Sequence, residues 1–438
     1  MRPGTRGLLA LAAAAALAGC GRPAPPPART TLIGLDGADW RNALPLMREG
    51  KLPTLAALRR AGASGVMLTN PDYRWSPVLW TSIATGKLPD KHGVTSFMAR
   101  VPGQSRMIPT PSTERRVGAL WNFFTEKDRT VGFVGWWVTW PAETVKGFMV
   151  SDHFSATRFS LGKDYERSPD PSFYEKETYP EDLAARIAPF KVSRDAIGPS
   201  DLARFANLPS GFAFPDTLRP FDKISEFAIA HSVDRSHFGA GEMLLREQRP
   251  ELFGIFFEGI DILQHYFWEY MDPAEPWWKP TDAEVATWGE SIERYYRWSD
   301  GLVAALVDAG GDGRSVMIVS DHGFRGSNER FDKKHISGEH RRQAAFLWAG
   351  PGVRRGVRAE DVDAVDVAPT ILAYHGLPVA DDFDGEALLP LLTPAWRDER
   401  PLKTIPTWET GARARPALPP QSSSRDLEER IRALGYIE

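Results

Sequence analysis

Three short apolar runs, far apart in the chain, each lead within a few residues to an aspartate, and this pattern restricts the fold more than any other feature. Residues 31–35 (TLIGL) run into Asp36-Gly37, 252–257 (LFGIFF) are followed by Asp261, and 316–320 (VMIVS) run into Asp321-His322-Gly323. Short continuous apolar runs bounded by turn residues read as strands buried on both faces. Stretches with helical spacing lie between and around them, at 52–60, 77–84, 117–125, 224–248, 282–309 and 366–375, with further strand-like runs at 130–138 and 344–348. Alternating strands and helices imply an α/β sheet covered on both faces. In such sheets ligands bind at the carboxyl ends of the strands. One aspartate there is an ordinary Asp-Gly turn; three in separate segments point to a site.

The N-terminus reads differently. Arg2 and Arg6 precede an apolar stretch that closes on Leu17-Ala18-Gly19-Cys20. A charged start, a short apolar run and small residues before the cut describe a secretory signal peptide over 1–19, too short to span a bilayer comfortably. Cys20 is the only cysteine, so no internal disulfide forms. Its context resembles a bacterial lipoprotein acylation site, and the Pro-rich stretch 20–30 then reads as an extended tether. Gly21 after the cysteine leans toward an outer-membrane anchor, facing the periplasm or the cell surface. The net charge of −4 argues against a nucleic-acid partner. Patterning fades at about 155–220, which reads as a cap insertion in a domain over 31–395. A C-terminal tail, 396–438, ends in a short amphipathic helix at 426–434.

The remaining polar residues carry chemistry. Asp261 and His265 stand four apart, on one face of a helical turn, where a carboxylate and an imidazole can grip one metal ion. Asp321 and His322 are adjacent and must leave a tight loop together. His340 precedes the run at 344–348, with His335 as a rival for the same place. Asp and His donors suit zinc and related divalent ions. Ser76 stands at the N-cap of the helix at 77–84, with Pro77 in its first turn. His92 reads as a helix-end residue. The chain has 15 tryptophans, of which Trp75 and Trp80, with Leu79, offer apolar contact to a substrate.

Together these segments resemble the alkaline phosphatase superfamily, in its branch of type I phosphodiesterases and nucleotide pyrophosphatases. Leu35-Asp36-Gly37-Ala38 resembles the first metal loop. Ser76-Pro77, Thr85-Gly86, Pro89 and His92-Gly93 resemble the nucleophile helix, and Asp261 to His265, Asp321-His322-Gly323 and His340 the other metal loops. The resemblance implies a three-layer α/β/α sandwich with a mostly parallel central sheet and a cap insertion. It implies two divalent ions, zinc or manganese, one held by Asp261, His265 and His340, the other by Asp36, Asp321, His322 and the Ser76 oxygen. It also implies a covalent intermediate on Ser76 and a small-molecule or headgroup phosphoester as substrate.

Two departures narrow the choice. Asn is common shortly after the nucleophile in nucleotide pyrophosphatases, and Pro77-Val78-Leu79-Trp80 lacks it. A sulfatase would carry x-Pro-x-Arg after its Cys or Ser, and Ser76 is followed directly by Pro with no Arg. The expectation is a hydrolase that prefers phosphodiesters. The alternatives are a degenerate relative that binds a phosphorylated glycan or lipid without turnover, or a phosphomonoesterase or phosphotransferase. If Cys20 carries the anchor, Cys20→Ala releases the protein from the membrane fraction into the soluble one; retention there would place the anchor elsewhere.

Overall fold

A computed structural model describes residues 27–70, 72, 75–100, 107–155, 175–215, 222–273, 279–327, 336–411 and 416–418. Its frame is a nine-stranded sheet made of β1 (Thr30–Leu35), β2 (Gly62–Leu68), β3 (Val131–Val134), β4 (Gly147–Val150), β5 (Thr178–Tyr179), β6 (Leu252–Phe257), β7 (Ser315–Val319), β8 (Gln343–Ala349) and β9 (Val357–Asp363). The spatial order is β9-β2-β8-β7-β1-β6-β3-β4-β5. The central run from β7 to β4 is parallel. β8 is antiparallel to both neighbours, and β5 to β4.

Side chains alternate between two cores, as a period of two requires. Leu32, Phe256, Met317, Val319, Phe346 and Trp348 join one core; Ile33, Ile255, Phe257, Ile318 and Leu347 join the other. The first is covered by α3 (Ser76–Thr85) and α7 (Val367–Tyr374), after α1 (Trp40–Arg48) and α2 (Pro53–Ala61) in the chain. The second is covered by α2 with α4 (Lys223–Gln248), α5 (Gly259–Met271) and α6 (Ser291–Gly310). The fold is a three-layer α/β/α sandwich with a mostly parallel sheet. Among the described residues no helix is long and apolar enough to cross a membrane.

Several elements differ from the sequence reading. The helix expected over 282–309 is two, Asp282–Trp288 and α6, parted at Gly289-Glu290. Ser76 is the first residue of α3, and Trp75 is its N-cap. β1 begins at Thr30 and Ala28 is buried beside it, so the end of the Pro-rich stretch is packed. Within the region read as a cap, β5 completes the sheet and Leu183, Ile187 and Phe205 join the second core. Trp408 in the tail is buried and stacks on Phe123 at 5.0 Å. Cys20, His335 and the helix expected at 426–434 lie outside the described residues.

One buried carboxylate fixes where α5 starts. Asp234, on α4, accepts from the backbone N–H of Glu258 at 2.8 Å and of Gly259 at 3.0 Å, and from the Tyr295 hydroxyl at 2.9 Å. These N–H groups belong to the first turn of a helix, which has no partners of its own for them. Burial and then the neighbouring Glu258 push the Asp234 carboxyl from 3.8 up to about 7. Between those values the unfolded chain ionises while the folded one keeps its proton, so this group withdraws stability as pH rises across that window. Asp234→Ala should therefore lower stability to urea by about 2 kcal/mol at pH 5, from the lost cap and orphaned donors, and by less at pH 8. An equal loss at both pH values would contradict the shift.

Candidate metal centre and nucleophile

The register of three strands assembles the site. Leu35 of β1 pairs with Phe257 of β6, and Gly34 with Val319 of β7, so the three carboxyl ends lie side by side. Asp36 follows β1 directly, Asp321-His322 follow β7 after Ser320, and Asp261 is the third residue of α5, the helix that leaves β6. His265 is one turn further along α5. His340 comes from a two-stranded ribbon, Gly323–Gly326 paired with Gly338–Arg341, with Phe324 opposite His340.

The six side chains form two triads, Asp36-Asp321-His322 and Asp261-His265-His340, in each of which the donor atoms lie within 4.8 Å of one another. His322 Nε2 stands 3.2 Å from an Asp36 oxygen and 3.5 Å from an Asp321 oxygen. In the second triad His340 Nε2 is 2.9 Å from His265 Nε2 and 3.3 Å from Asp261 Oδ1, which is 3.5 Å from His265 Nε2. Metal–ligand bonds of about 2.0–2.2 Å to a tetrahedral ion place neighbouring donor atoms about 3.3–3.6 Å apart. The observed spacings sit around that value. The triads adjoin: the His322 and His340 rings stack with centroids 3.5 Å apart, and Asp261 Oδ1 is 3.5 Å from His322 Nε2.

Tautomers point the same way. His265 Nδ1 lies 2.9 Å from the Gly338 carbonyl, and His322 Nδ1 lies 3.4 Å from that of Gly323. A carbonyl only accepts, so each Nδ1 carries a proton and each Nε2 is turned toward the cluster. On His322 burial is outweighed by the Asp321 and Asp36 carboxylates, which raise the imidazole, so a cation bound there would displace its Nε2 proton. Asp36 Oδ1, Asp261 Oδ1, Asp321 Oδ2 and His322 Nε2 are buried without a hydrogen-bond donor. Buried polar atoms rarely stay unpaired, and four of them facing one another fit cations. Electrostatics agrees. Burial and then the Asp36 charge hold the Asp261 and Asp321 carboxyls well above the usual range. Burial also pushes Asp36 up, but His322, Asp321 and Trp80 outweigh it and leave that carboxyl low. His265 is lowered to about 4 by burial. The donor set fits divalent metal ions.

Around the triads stand residues the sequence did not single out. Asp39, fully buried, accepts from the backbone N–H of Arg41 and Phe324 and takes the Arg341 guanidinium in a two-pronged pair at 2.7 and 2.9 Å. It ties the loop after β1 to the ribbon that carries His340. Gln264 donates to the Gly37 carbonyl at 2.8 Å and accepts from Asn42 at 2.7 Å, which ties α5 to the same loop. Their place beside recognised ligands was the only signal available for them.

Ser76 is buried in the first turn of α3. Trp80, one turn later and so on the same face, donates its indole N–H to Asp36 Oδ2 at 3.2 Å. Trp80 and Leu79 are buried in the core, away from the substrate contact expected of them, whereas Trp75 is partly buried and packs edge-on against Phe97 at 6.2 Å. His92 is structural, as read: Nδ1 accepts from the Val94 N–H, Nε2 meets the Ser82 hydroxyl at 3.0 Å, and burial with Arg115 nearby holds it at about 3.

Comparison with known proteins supplies the rest. Human arylsulfatase K is 32% identical over 95 residues, covering 21% of this chain and 18% of that protein, and the Drosophila melanogaster extracellular sulfatase SULF-1 homolog is 36% identical over 83 residues, covering 18% and 8%. The chain thus matches only a small part of the length of these relatives. Among solved structures, human ectonucleotide pyrophosphatase / phosphodiesterase 5 is 12% identical with a TM-score of 0.47, covering 83% of this chain and 100% of that one. Phosphonoacetate hydrolase from Sinorhizobium meliloti is 18% identical with a TM-score of 0.41, covering 70% and 59%. The model of the type I phosphodiesterase / nucleotide pyrophosphatase family matches residues 30–374, a span that holds Ser76 and both triads, and the chain belongs to that family.

Proposed function

We propose that this chain is an exported, lipid-anchored metallohydrolase that cleaves a phosphate ester, with diesters preferred, through a covalent intermediate on Ser76. The observation that carries the reading is the pair of adjoining Asp/His triads, in which Asp36 Oδ1, Asp261 Oδ1, Asp321 Oδ2 and His322 Nε2 are buried together without a hydrogen-bond partner, in a member of this family. Asp261, His265 and His340 would hold one divalent ion, and Asp36, Asp321, His322 and the Ser76 oxygen the other. Zinc suits this mixture of imidazole and carboxylate, with manganese compatible. Bound there, the ions supply Lewis acidity to the phosphoryl oxygens and a lowered hydroxyl pKa.

The protein's own residues do the rest. α3 presents the positive end of its dipole at Ser76, where an anionic phosphoryl group is favoured. The Ser76 oxygen, its proton lost, attacks phosphorus in line. The bond from phosphorus to the leaving oxygen breaks, and that oxygen departs with the electron pair. Water then opens the phosphoseryl ester and frees Ser76. Diester preference rests on charge. A monoester dianion needs extra positive groups, yet Arg341 is taken by Asp39 and Arg342 donates to the Thr69 carbonyl at 2.9 Å. The membrane attachment rests on the Cys20 context, with the substrate a small molecule or a headgroup.

Three experiments test this. Metal analysis of purified protein should find about two divalent ions per chain, as two-metal chemistry requires; chelation should abolish turnover, and Asp321→Ala or His322→Ala should each remove one ion. Full activity in metal-free protein would end the proposal. Ser76→Ala should lower kcat by at least about a thousandfold, the scale seen when a nucleophile is removed, while both ions stay bound. Ser76→Thr should keep measurable activity. Catalytic efficiency on a bis-aryl phosphate should exceed that on the aryl phosphate at the same pH. The reverse order would replace a diesterase by a monoesterase and leave the two-ion reading standing.

A further inference from the structure

We infer that Trp80 is a positioning residue that confines Asp36 to ligation through a single oxygen, Oδ1, and so keeps a coordination place open for Ser76. The inference rests on the two-ion reading above.

The two Asp36 oxygens have different surroundings. Oδ2 accepts the Trp80 indole N–H at 3.2 Å. Oδ1 is buried and has no donor, and His322 Nε2 stands 3.2 Å from the carboxylate on that side. With Nδ1 of His322 turned to a carbonyl, Nε2 is left to offer its lone pair to a cation, which would fit between it and Oδ1 in place of the Nε2 proton. One oxygen is thus held outward by a hydrogen bond, and the other is left for the ion.

Trp80 has no room to move aside. It is fully buried, with the edges of Trp136 at 5.1 Å and Phe256 at 5.0 Å against its ring. Its carbonyl accepts the Trp136 indole N–H at 3.2 Å. Its six-membered ring lies against β1 at Gly34, where any Cβ would come within 2.7 Å of it. Glycine weakens a strand interior and marks a close approach; Gly34 stands in the central strand of the sheet, two residues before the ligand that Trp80 holds. Strand and helix are fitted to each other at this point.

Counting donors gives the consequence. A tetrahedral ion has four places. Asp36, Asp321 and His322 fill three if each offers one atom, and the fourth is for the Ser76 oxygen. A second oxygen from Asp36 would take that place. The indole is suited to prevent this because it is neutral: it restrains the carboxylate without bringing a positive charge that would repel the ion.

The test uses cobalt(II) as the ion, titrated into chelator-stripped full-length protein and read by visible absorption, which is intense for four-coordinate cobalt and weak at higher coordination. Wild type should take up two ions with the intense spectrum. Trp80→Phe, which keeps the ring and loses the N–H, should bind one of them about tenfold more weakly, as loss of a supporting bond to a ligand does, with a weaker spectrum for that ion and a lower kcat. Unchanged affinity and spectrum in Trp80→Phe would overturn the role of Trp80 alone. Failure of wild type to bind cobalt would overturn the two-ion reading and this inference together. Should the variant not fold, the wild-type indole ¹⁵N–¹H resonance of Trp80 decides. It should keep its hydrogen-bonded shift and slow exchange when the ions are added, and a shift to the free-indole position would mean that Oδ2 had turned to the metal.

Discussion

Three carboxyl groups and two imidazoles are packed out of water beyond the ends of β1, β6 and β7, with the partly buried His340 over them, and much of what surrounds them exists to hold like groups together. Asp36, Asp261 and Asp321 repel one another wherever more than one is ionised, and burial first, then the Asp36 charge, raises the carboxyls of Asp261 and Asp321. Such crowding persists only where the backbone gives no alternative. Here Asp234 holds the start of α5, Gln264 holds its second turn to the loop after β1, and Asp39 with Arg341 holds the ribbon to that loop. Each of these bonds joins two elements that carry ligands or lead to them. A breach in any of them would let the carboxyls drift apart toward water.

The candidate ligands were legible because they obey a simple rule: a strand buried on both faces is an uninterrupted apolar run, and whatever follows it lies at the edge where sites are built. Asp36 and Asp321-His322 could be read from that rule, and Asp261 with His265 from helical spacing. The supports followed no such rule. Asp234 lies far along the chain from the helix it caps, and only the packing of α4 against β6 brings them together. β2 (GASGVML) and β9 (VRAEDVD) were missed because small and charged residues interrupt their apolar pattern, as suits strands near a sheet edge. The break at Gly289 was hidden because apolar residues keep helical spacing on both sides of it.

The tryptophans show how far composition reaches. Core and surface packing was expected of most of them, with Trp75 and Trp80 offering contact to a substrate. In the structure Trp80, Trp121, Trp136, Trp140 and Trp348 are among the largest fully buried side chains. They fill the layer between sheet and helices, and Trp80 alone of these touches a ligand. A side chain that reads as a recognition surface proves to be scaffolding with a polar tip, and the tip is the part that matters to the chemistry.

His340 is the last candidate ligand in the chain and the one that comes from a ribbon rather than from the sheet or α5. Asp36, Asp321 and His322 stand where β1 and β7 end, so the sheet itself brings them together. Asp261 and His265 take their third member from the ribbon that lies over them. The Arg341–Asp39 pair fastens that ribbon to the loop after β1, so one partly buried ion pair sets the spacing of the second triad against the first.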